Sequence, residues 1–179
     1  MLKREDTVFV LVDVQGKLAR TVHKSEQLIQ QLEKLIAGMN LLRVPTLWLE
    51  QYPKGLGETV PELTKHLEKN TPIEKITFSA CKNDDFMNEL ERVKRKQIVI
   101  AGIETHVCVY QTAAELKALT YEVQVVEDAV SSRTLSNKQI GLEKMKSLGI
   151  KGTSVEMVLY ELMEKAGTTE FKEILKIIK

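Results

Sequence analysis

Cysteine is scarce in this chain, and its scarcity bears on the compartment. Only Cys81 and Cys108 occur in 179 residues, too few for the disulfide framework of a small secreted domain. Residues 1–6 carry charges where a secretory signal would need an apolar stretch. The sequence therefore predicts a reducing, cytoplasmic location.

An excess of charge of one sign and a long apolar run are also missing. Lys and Arg number 26 against 25 Asp and Glu, and aromatic residues make up 5% of the chain. A nucleic-acid-binding face usually combines a basic surface with interleaved aromatics, so no nucleic-acid partner is expected. The first apolar run, residues 8–12, is too short to span a bilayer, so no membrane partner is expected either.

What the chain does contain is a regular alternation of strand-like and helix-like segments. Residues 7–12 and 97–102 are continuous apolar runs, typical of strands buried on both faces. Residues 25–43 carry the apolar spacing of an amphipathic helix, and a further helix is predicted over residues 105–119. This alternation predicts one domain over residues 1–179, a three-layer α/β/α sandwich around a six-stranded, mostly parallel, Rossmann-like sheet.

The remaining segments are assigned in the same way. Strands are predicted near residues 46–49, 73–79, 122–126 and 152–155, and helices over residues 61–69, 84–94 and 137–148 and from residue 156 to the end.

Reactive side chains stand where the predicted strands end. In an open parallel sheet, sites form outside the carboxyl ends of the strands, where the strand order reverses. Asp13 follows the first strand, Lys75 lies on the third, and Cys108 opens the helix after the fourth. Glu127 and Asp128 are predicted to end the fifth strand. The fold should bring these residues to one edge.

Cys108 is the candidate nucleophile. A thiol in the first turn of a helix, near a cation, can have its pKa lowered from about 8.5 towards roughly 3.5–7.5; the alternative is an inert, buried cysteine. Asp13 is the candidate general base, or else a turn-forming residue. Lys75 would hold Asp13 by an ion pair, unless it is an ordinary surface lysine.

Other residues receive smaller roles. Gln15 and Gln51 are placed to touch a substrate, and Tyr52 and Phe78 could line its pocket. His106 lies two residues from Cys108, a spacing at which helical side chains do not face each other. Cys81 is assigned to packing rather than to catalysis.

Three motifs in register resemble those of the isochorismatase-like cysteine hydrolase superfamily. They are VLVDVQ at residues 10–15, KITFSA at 75–80 and AGIETHVCV at 101–109, and EQYPKGLG at 50–57 is closest to small isochorismatase-domain hydrolases. The resemblance implies an Asp13–Lys75–Cys108 triad. It also implies a cis peptide between Ile103 and Glu104, and an oxyanion hole made of the backbone N–H groups of Glu104 and Cys108.

The resemblance further implies hydrolysis of a small amide, carbamoyl compound or ester through a thioester on Cys108, with C–N bonds as the favoured target. Nicotinamidases hold a metal through an Asp-x-His pair after the second strand, where this chain has Glu50-Gln51-Tyr52. No metal and no other cofactor is therefore expected, since His66 alone makes no site. A homo-oligomer is expected. A silent binding or scaffold protein and a thiol redox sensor remain alternatives, and the substrate cannot be identified from the sequence.

Overall fold

The computed structural model describes all 179 residues, arranged as one six-stranded sheet with flanking helices. The strands are β1 (Thr7–Val12), β2 (Thr46–Gln51), β3 (Ile73–Lys75), β4 (Gln97–Ile103), β5 (Glu122–Ser131) and β6 (Lys151–Thr153). The α-helices are α1 (Gly16–Thr21), α2 (Ser25–Leu41), α3 (Pro53–Leu56), α4 (Pro61–Thr64), α5 (Asp84–Val93), α6 (Tyr110–Ala118), α7 (Leu135–Ser147), α8 (Val155–Met163) and α9 (Thr169–Ile178). A 3₁₀ turn spans Ala80–Lys82 and a π-helical turn spans Thr105–Val109.

The strand order is β3-β2-β1-β4-β5-β6, and every neighbouring pair is parallel. Helix α2 packs against α8 and α9, and α6 packs against α7. The predicted α/β/α sandwich with a six-stranded parallel sheet is therefore confirmed. The chain winds outward from β1 to β3 and then returns to the centre at β4, so the order reverses between β1 and β4, where such sheets form their sites.

The central strands form because their sequences are apolar on both faces. All six residues of β1 and all seven of β4 are buried. Parallel strands covered by helices on both sides read as continuous apolar runs, which is how residues 7–12 and 97–102 were recognised. The same burial makes any charged residue at the end of these strands costly unless it is paired.

Strands β3 and β5 differ most from the predicted bounds. Strand β3 stops at Lys75 rather than near residue 79, because it is an edge strand and its only partner, β2, ends opposite it at Gln51. Strand β5 continues to Ser131 beyond a register shift against β4. Glu127 and Asp128 therefore lie within the strand rather than at its end, and Asp128 Oδ1 accepts a hydrogen bond from the Val155 N–H at 2.9 Å.

The segment after β4 is not one α-helix. Residues 105–109 form a π-helical turn, in which the Val109 N–H donates to the Glu104 carbonyl five residues back at 3.3 Å, and α6 begins only at Tyr110. Such turns are rare and often stand at functional sites. Cys108 thus lies in this turn rather than in the first turn of an α-helix. None of the helices combines the length and apolarity that a membrane span requires.

Candidate functional site

Three distant segments bring Asp13, Lys75 and Cys108 to the carboxyl edge of the sheet. Asp13 follows β1, Lys75 is the last residue of β3, and Cys108 lies in the π-helical turn after β4. The exposed fractions of the three residues are 2%, 2% and 7%. Two charges and a thiol are thus enclosed at the point where the strand order reverses.

Lys75 and Asp13 form a buried ion pair. Lys75 Nζ lies 2.7 Å from Asp13 Oδ2 and donates a second 2.7 Å hydrogen bond to Gln51 Oε1. The carbonyls of Thr77 and Phe78 lie 3.3 Å from the same amino group. The other carboxylate oxygen, Asp13 Oδ1, is buried and has no hydrogen-bond partner of regular geometry, although the Cys108 thiol is close enough to the carboxyl to oppose, by hydrogen bonding, the rise that burial causes in the pKa of Asp13. The pair therefore holds one oxygen fixed and leaves the other free to accept a proton.

The backbone around Asp13 is unusual on both sides. Asp13 itself has a φ of 51°, a left-handed conformation in which non-glycine residues are uncommon and often functional. Gly102 of β4, which pairs with Val12, has a φ of 121°, and a Cβ atom there would lie 2.1 Å from the Val12 carbonyl oxygen. Only glycine lets β4 approach β1 this closely beside Asp13.

The peptide bond between Ile103 and Glu104 is cis. The Glu104 carbonyl accepts hydrogen bonds from the N–H groups of Val107 at 3.0 Å and Val109 at 3.3 Å, whereas its own N–H donates to no acceptor in the chain. A free backbone donor thus stands four residues before Cys108, where the oxyanion hole was predicted.

The surroundings of the Cys108 thiol raise its pKa. Burial, followed by the negative charge of Asp13, raises the pKa of Cys108 to about 12, and the positive charge of Lys75 opposes this only in part. The expected lowering of this pKa is therefore wrong, because the thiol is enclosed beside a carboxylate. Burial also raises the pKa of Asp13, against the opposing effect of Lys75. A carboxylate with a raised pKa is a stronger base.

The two glutamines hold other groups rather than facing solvent. Gln15 Nε2 donates to the carbonyls of Gln51 (3.1 Å) and Gly57 (2.7 Å), and its Oε1 accepts from the Gln51 N–H at 2.6 Å. Gln51 Oε1 accepts from Lys75, and its Nε2 donates to the Ile76 carbonyl at 2.6 Å. Both amides are thus occupied within the chain, which suits them to positioning the β1, β2 and β3 ends rather than to binding a substrate.

Exposed apolar side chains stand on the two segments that follow β2 and β3. Tyr52 is 51% exposed and Phe78 is 55% exposed. The Tyr52 N–H donates to the Lys75 carbonyl at 2.8 Å, and the Phe78 carbonyl lies beside Lys75 Nζ. Two further apolar side chains, Leu56 and Ile76, are exposed on the same two segments. We call Tyr52, Leu56, Ile76 and Phe78 the apolar rim.

The residues that replace a metal-binding pair are engaged otherwise. Glu50 Oε1 accepts hydrogen bonds from the N–H and the hydroxyl of Thr59, both at 2.7 Å. His66 lies beside Glu33 of α2, at 3.7 Å. No group of three or more His, Cys, Asp or Glu side chains is arranged to hold a metal ion.

Three residues near the site were not singled out from the sequence. The Arg133 side chain and backbone N–H both bind Glu104. Ser132 Oγ lies 3.0 Å from His106 Nδ1. Gly141 of α7 lies against the backbone of Thr105 and His106, so closely that a Cβ atom would be 2.9 Å from it. A glycine in the middle of a predicted helix was a usable signal; nothing in the sequence marked the other two.

The chain resembles known proteins along its whole length. The family model of the isochorismatase domain matches residues 7–157. Isochorismatase family protein 1B of Dictyostelium discoideum is 35% identical over 98% of this chain and 87% of its own. The secreted isochorismatase effector Isc1 of Phytophthora sojae is 37% identical over 97% of this chain and 84% of its own.

Among solved structures, the MAR1 ribonuclease of Caenorhabditis elegans superposes with a TM-score of 0.92 and is 35% identical, covering 99% of this chain and 91% of that one.

Proposed function

Because this chain belongs to the isochorismatase family of hydrolases, we propose that it cleaves a small amide, carbamoyl compound or ester through a thioester on Cys108. The observation that carries the proposal is the Asp13 carboxyl, whose Oδ2 is held at 2.7 Å by Lys75 and which interacts with the side chain of Cys108. A nucleophile next to a base that a third group orients is the usual arrangement for covalent catalysis.

The raised thiol pKa sets how the first step proceeds. A thiol whose pKa is raised to about 12 favours the protonated form before substrate arrives, so a preformed thiolate is disfavoured. Asp13 therefore takes the proton as Cys108 Sγ bonds to the substrate carbonyl carbon. The raised pKa of Asp13 favours this transfer, since burial makes the ionised carboxylate costly.

The tetrahedral intermediate then needs donors for its oxyanion. The free N–H of Glu104 supplies one, and the N–H of Cys108 is proposed as the second. One such donor typically contributes about 2.7–4 kcal/mol to lowering the barrier. Collapse of the intermediate breaks the C–N or C–O bond, and the leaving group takes the proton from Asp13.

Water completes the cycle. Asp13, again ionised, takes a proton from a water molecule while the water oxygen attacks the thioester carbonyl. The carboxylic acid leaves, and the sulfur recovers its proton from Asp13. The net reaction consumes one water and yields an acid with an amine, ammonia or alcohol.

The surroundings favour an uncharged substrate with an apolar portion. Lys75, the one cation at the centre, is buried and already bound to Asp13 and Gln51. The apolar rim offers carbon surface instead. Small-ligand sites in proteins are mostly apolar, with a few polar groups that fix orientation.

Two competing functions fit these groups less well. The C. elegans neighbour is named a ribonuclease, but here the two cations close to the site, Lys75 and Arg133, are each paired with a carboxylate, so neither is free to bind a phosphodiester. A thiol redox sensor needs an accessible thiol of low pKa, and Cys108 is buried with a raised pKa.

The test is a screen for acyl transfer, with Cys108→Ser as the matched control. Primary amides, carbamoyl compounds and esters are incubated with the protein, release of ammonia or acid is followed, and acid-quenched protein is weighed by mass spectrometry. We expect release that needs Cys108 and an acyl adduct on that residue. Turnover of RNA in the same screen, or amide cleavage that survives Cys108→Ser, would overturn the proposal.

Location and assembly stay predictions. The cytoplasm is the location that the sequence favours, although one relative is by name a secreted effector. Self-association is proposed through exposed apolar side chains away from the rim, such as Met157 and Tyr160 of α8, and sedimentation of the purified chain would test it.

A further inference from the structure

The loop after β5 is hydrogen-bonded to the segment between β4 and Cys108, which carries the cis peptide. Arg133 binds Glu104 Oε1 twice, through its backbone N–H at 3.0 Å and its Nε at 3.1 Å. One residue earlier in the loop, Ser132 Oγ lies 3.0 Å from His106 Nδ1. The backbone between β4 and Cys108 is therefore tied to a loop that lies 29 residues away in sequence.

The two partners differ sharply in exposure. The Glu104 side chain is 9% exposed, whereas that of Arg133 is 61% exposed. A buried carboxylate is costly unless it is paired and hydrogen-bonded. The hydrogen bonds to the Glu104 carboxylate come from Arg133 alone. The negative charge of the Glu104 carboxylate is thus compensated by one solvent-exposed residue, Arg133.

Glu104 also acts on the reacting sulfur. Like Asp13, Glu104 is a charged group whose negative charge raises the pKa of Cys108. The same charge opposes an oxyanion that forms next to the Glu104 N–H. A carboxylate at this position therefore needs a counter-charge if the site is to react.

We propose that Arg133 is a positioning residue. By holding the Glu104 carboxylate, Arg133 keeps the backbone N–H of Glu104 in place and compensates the negative charge of the carboxylate. The role in turnover rests on the proposed hydrolase function. The effect on the sulfur does not, because it can be measured by alkylation with no substrate present.

The experiment compares Arg133→Gln, Arg133→Lys, Glu104→Gln and the Glu104→Gln/Arg133→Gln double variant, with Arg92→Gln as the matched control. Arg92 forms a similar ion pair with Glu89, but on the exposed face of α5. Alkylation by iodoacetamide is followed from pH 7 to 10 by mass spectrometry, which distinguishes modification of Cys108 from modification of Cys81.

Arg133→Gln should slow alkylation of Cys108 about two- to fivefold at each pH, the size expected for losing a partly exposed charge pair. Arg133→Lys, which keeps the charge, should restore most of the rate. The double variant should react at least as fast as the wild type, because the uncompensated carboxylate is gone. A merely structural role would not be reversed by a second substitution.

Turnover gives the second readout. On any substrate the screen identifies, Arg133→Gln should lower kcat by at least about tenfold with KM little changed, because a misplaced oxyanion donor acts on the transition state. Equal alkylation rates in wild type, Arg133→Gln and Arg92→Gln would overturn the role of Arg133. Absence of turnover in the wild type would instead contradict the hydrolase and leave the alkylation comparison valid.

Discussion

The amino group of Lys75 lies 2.7 Å from Asp13 Oδ2 in a part of the protein where neither side chain is more than 2% exposed. The pair joins the ends of β3 and β1 across the intervening strand β2, and Gln51 at the end of β2 accepts a hydrogen bond from the same amino group. Three neighbouring strand ends are thus locked together through one lysine. Several measurable consequences depend on this contact.

Lys75→Met should destabilise the protein by about 3–5 kcal/mol, because it leaves a buried carboxylate without its counter-charge. Chemical denaturation at pH 7 measures this loss. The Asp13→Asn/Lys75→Met double variant, which buries no charge, should recover much of the stability while remaining inactive. A double variant less stable than Lys75→Met would contradict this account.

The deficit of Lys75→Met should also depend on pH. Burial raises the pKa of Asp13 above its ordinary value of 3.8, and Lys75 opposes that rise. Without Lys75 the folded state holds the Asp13 proton still more tightly than the unfolded state. This contribution is full below the unfolded pKa and is lost as the pH rises through the folded pKa. The difference in unfolding free energy between wild type and variant should therefore be smallest in acid and largest near neutrality.

Alkylation of Cys108 should be slow at pH 7 and should rise about tenfold per pH unit up to pH 10, because the thiolate is the reactive form and its pKa is about 12. Asp13→Asn should accelerate alkylation, since it removes a negative charge that raises this pKa, while it abolishes turnover. A rate that levels off below pH 7 would instead indicate a thiolate sensor.

Replacement of the two cysteines should have opposite outcomes. Cys108→Ser should lower turnover by at least about 10³-fold, the scale of losses when a nucleophile is removed. Cys81→Ala should leave turnover within about threefold, because Cys81 is half-buried near the Thr112 carbonyl and burial raises its pKa to about 11. Circular dichroism of both variants separates loss of chemistry from loss of fold.

Gly141→Ala should destabilise the protein by about 1–2 kcal/mol, despite the helix propensity of alanine, because the added Cβ would overpack the π-helical turn. The atoms in its way are backbone atoms of Thr105 and His106, at 2.9 Å, which cannot rotate aside. Ser136→Ala, on the exposed surface of the same helix, is the control and should be neutral or slightly stabilising. Thermal unfolding compares the two, and equal melting temperatures would argue against a tight contact.

Much of the architecture could be predicted because buried strands and helices carry characteristic patterns of apolar residues. The apolar runs of β1 and β4 and the stripe of α2 identify their elements by period alone. The strand ends that were predicted wrongly depend on the neighbouring strands: β3 stops where its partner β2 ends, and β5 continues beyond a register shift against β4. Pairing partners far apart in the chain are invisible to local patterns.

By itself the sequence determined which residues stand at the ends of the parallel strands, because strand order and connection rules send those ends to one edge. Only the tertiary structure decided what their environment does to them. Packing encloses Cys108 beside Asp13 and so raises a thiol pKa that helix position alone would lower. It also ties Arg133 to Glu104 across 29 residues. Electrostatic effects depend on the distance between charges in space and on the exclusion of water, and neither can be inferred from the spacing of residues along the chain.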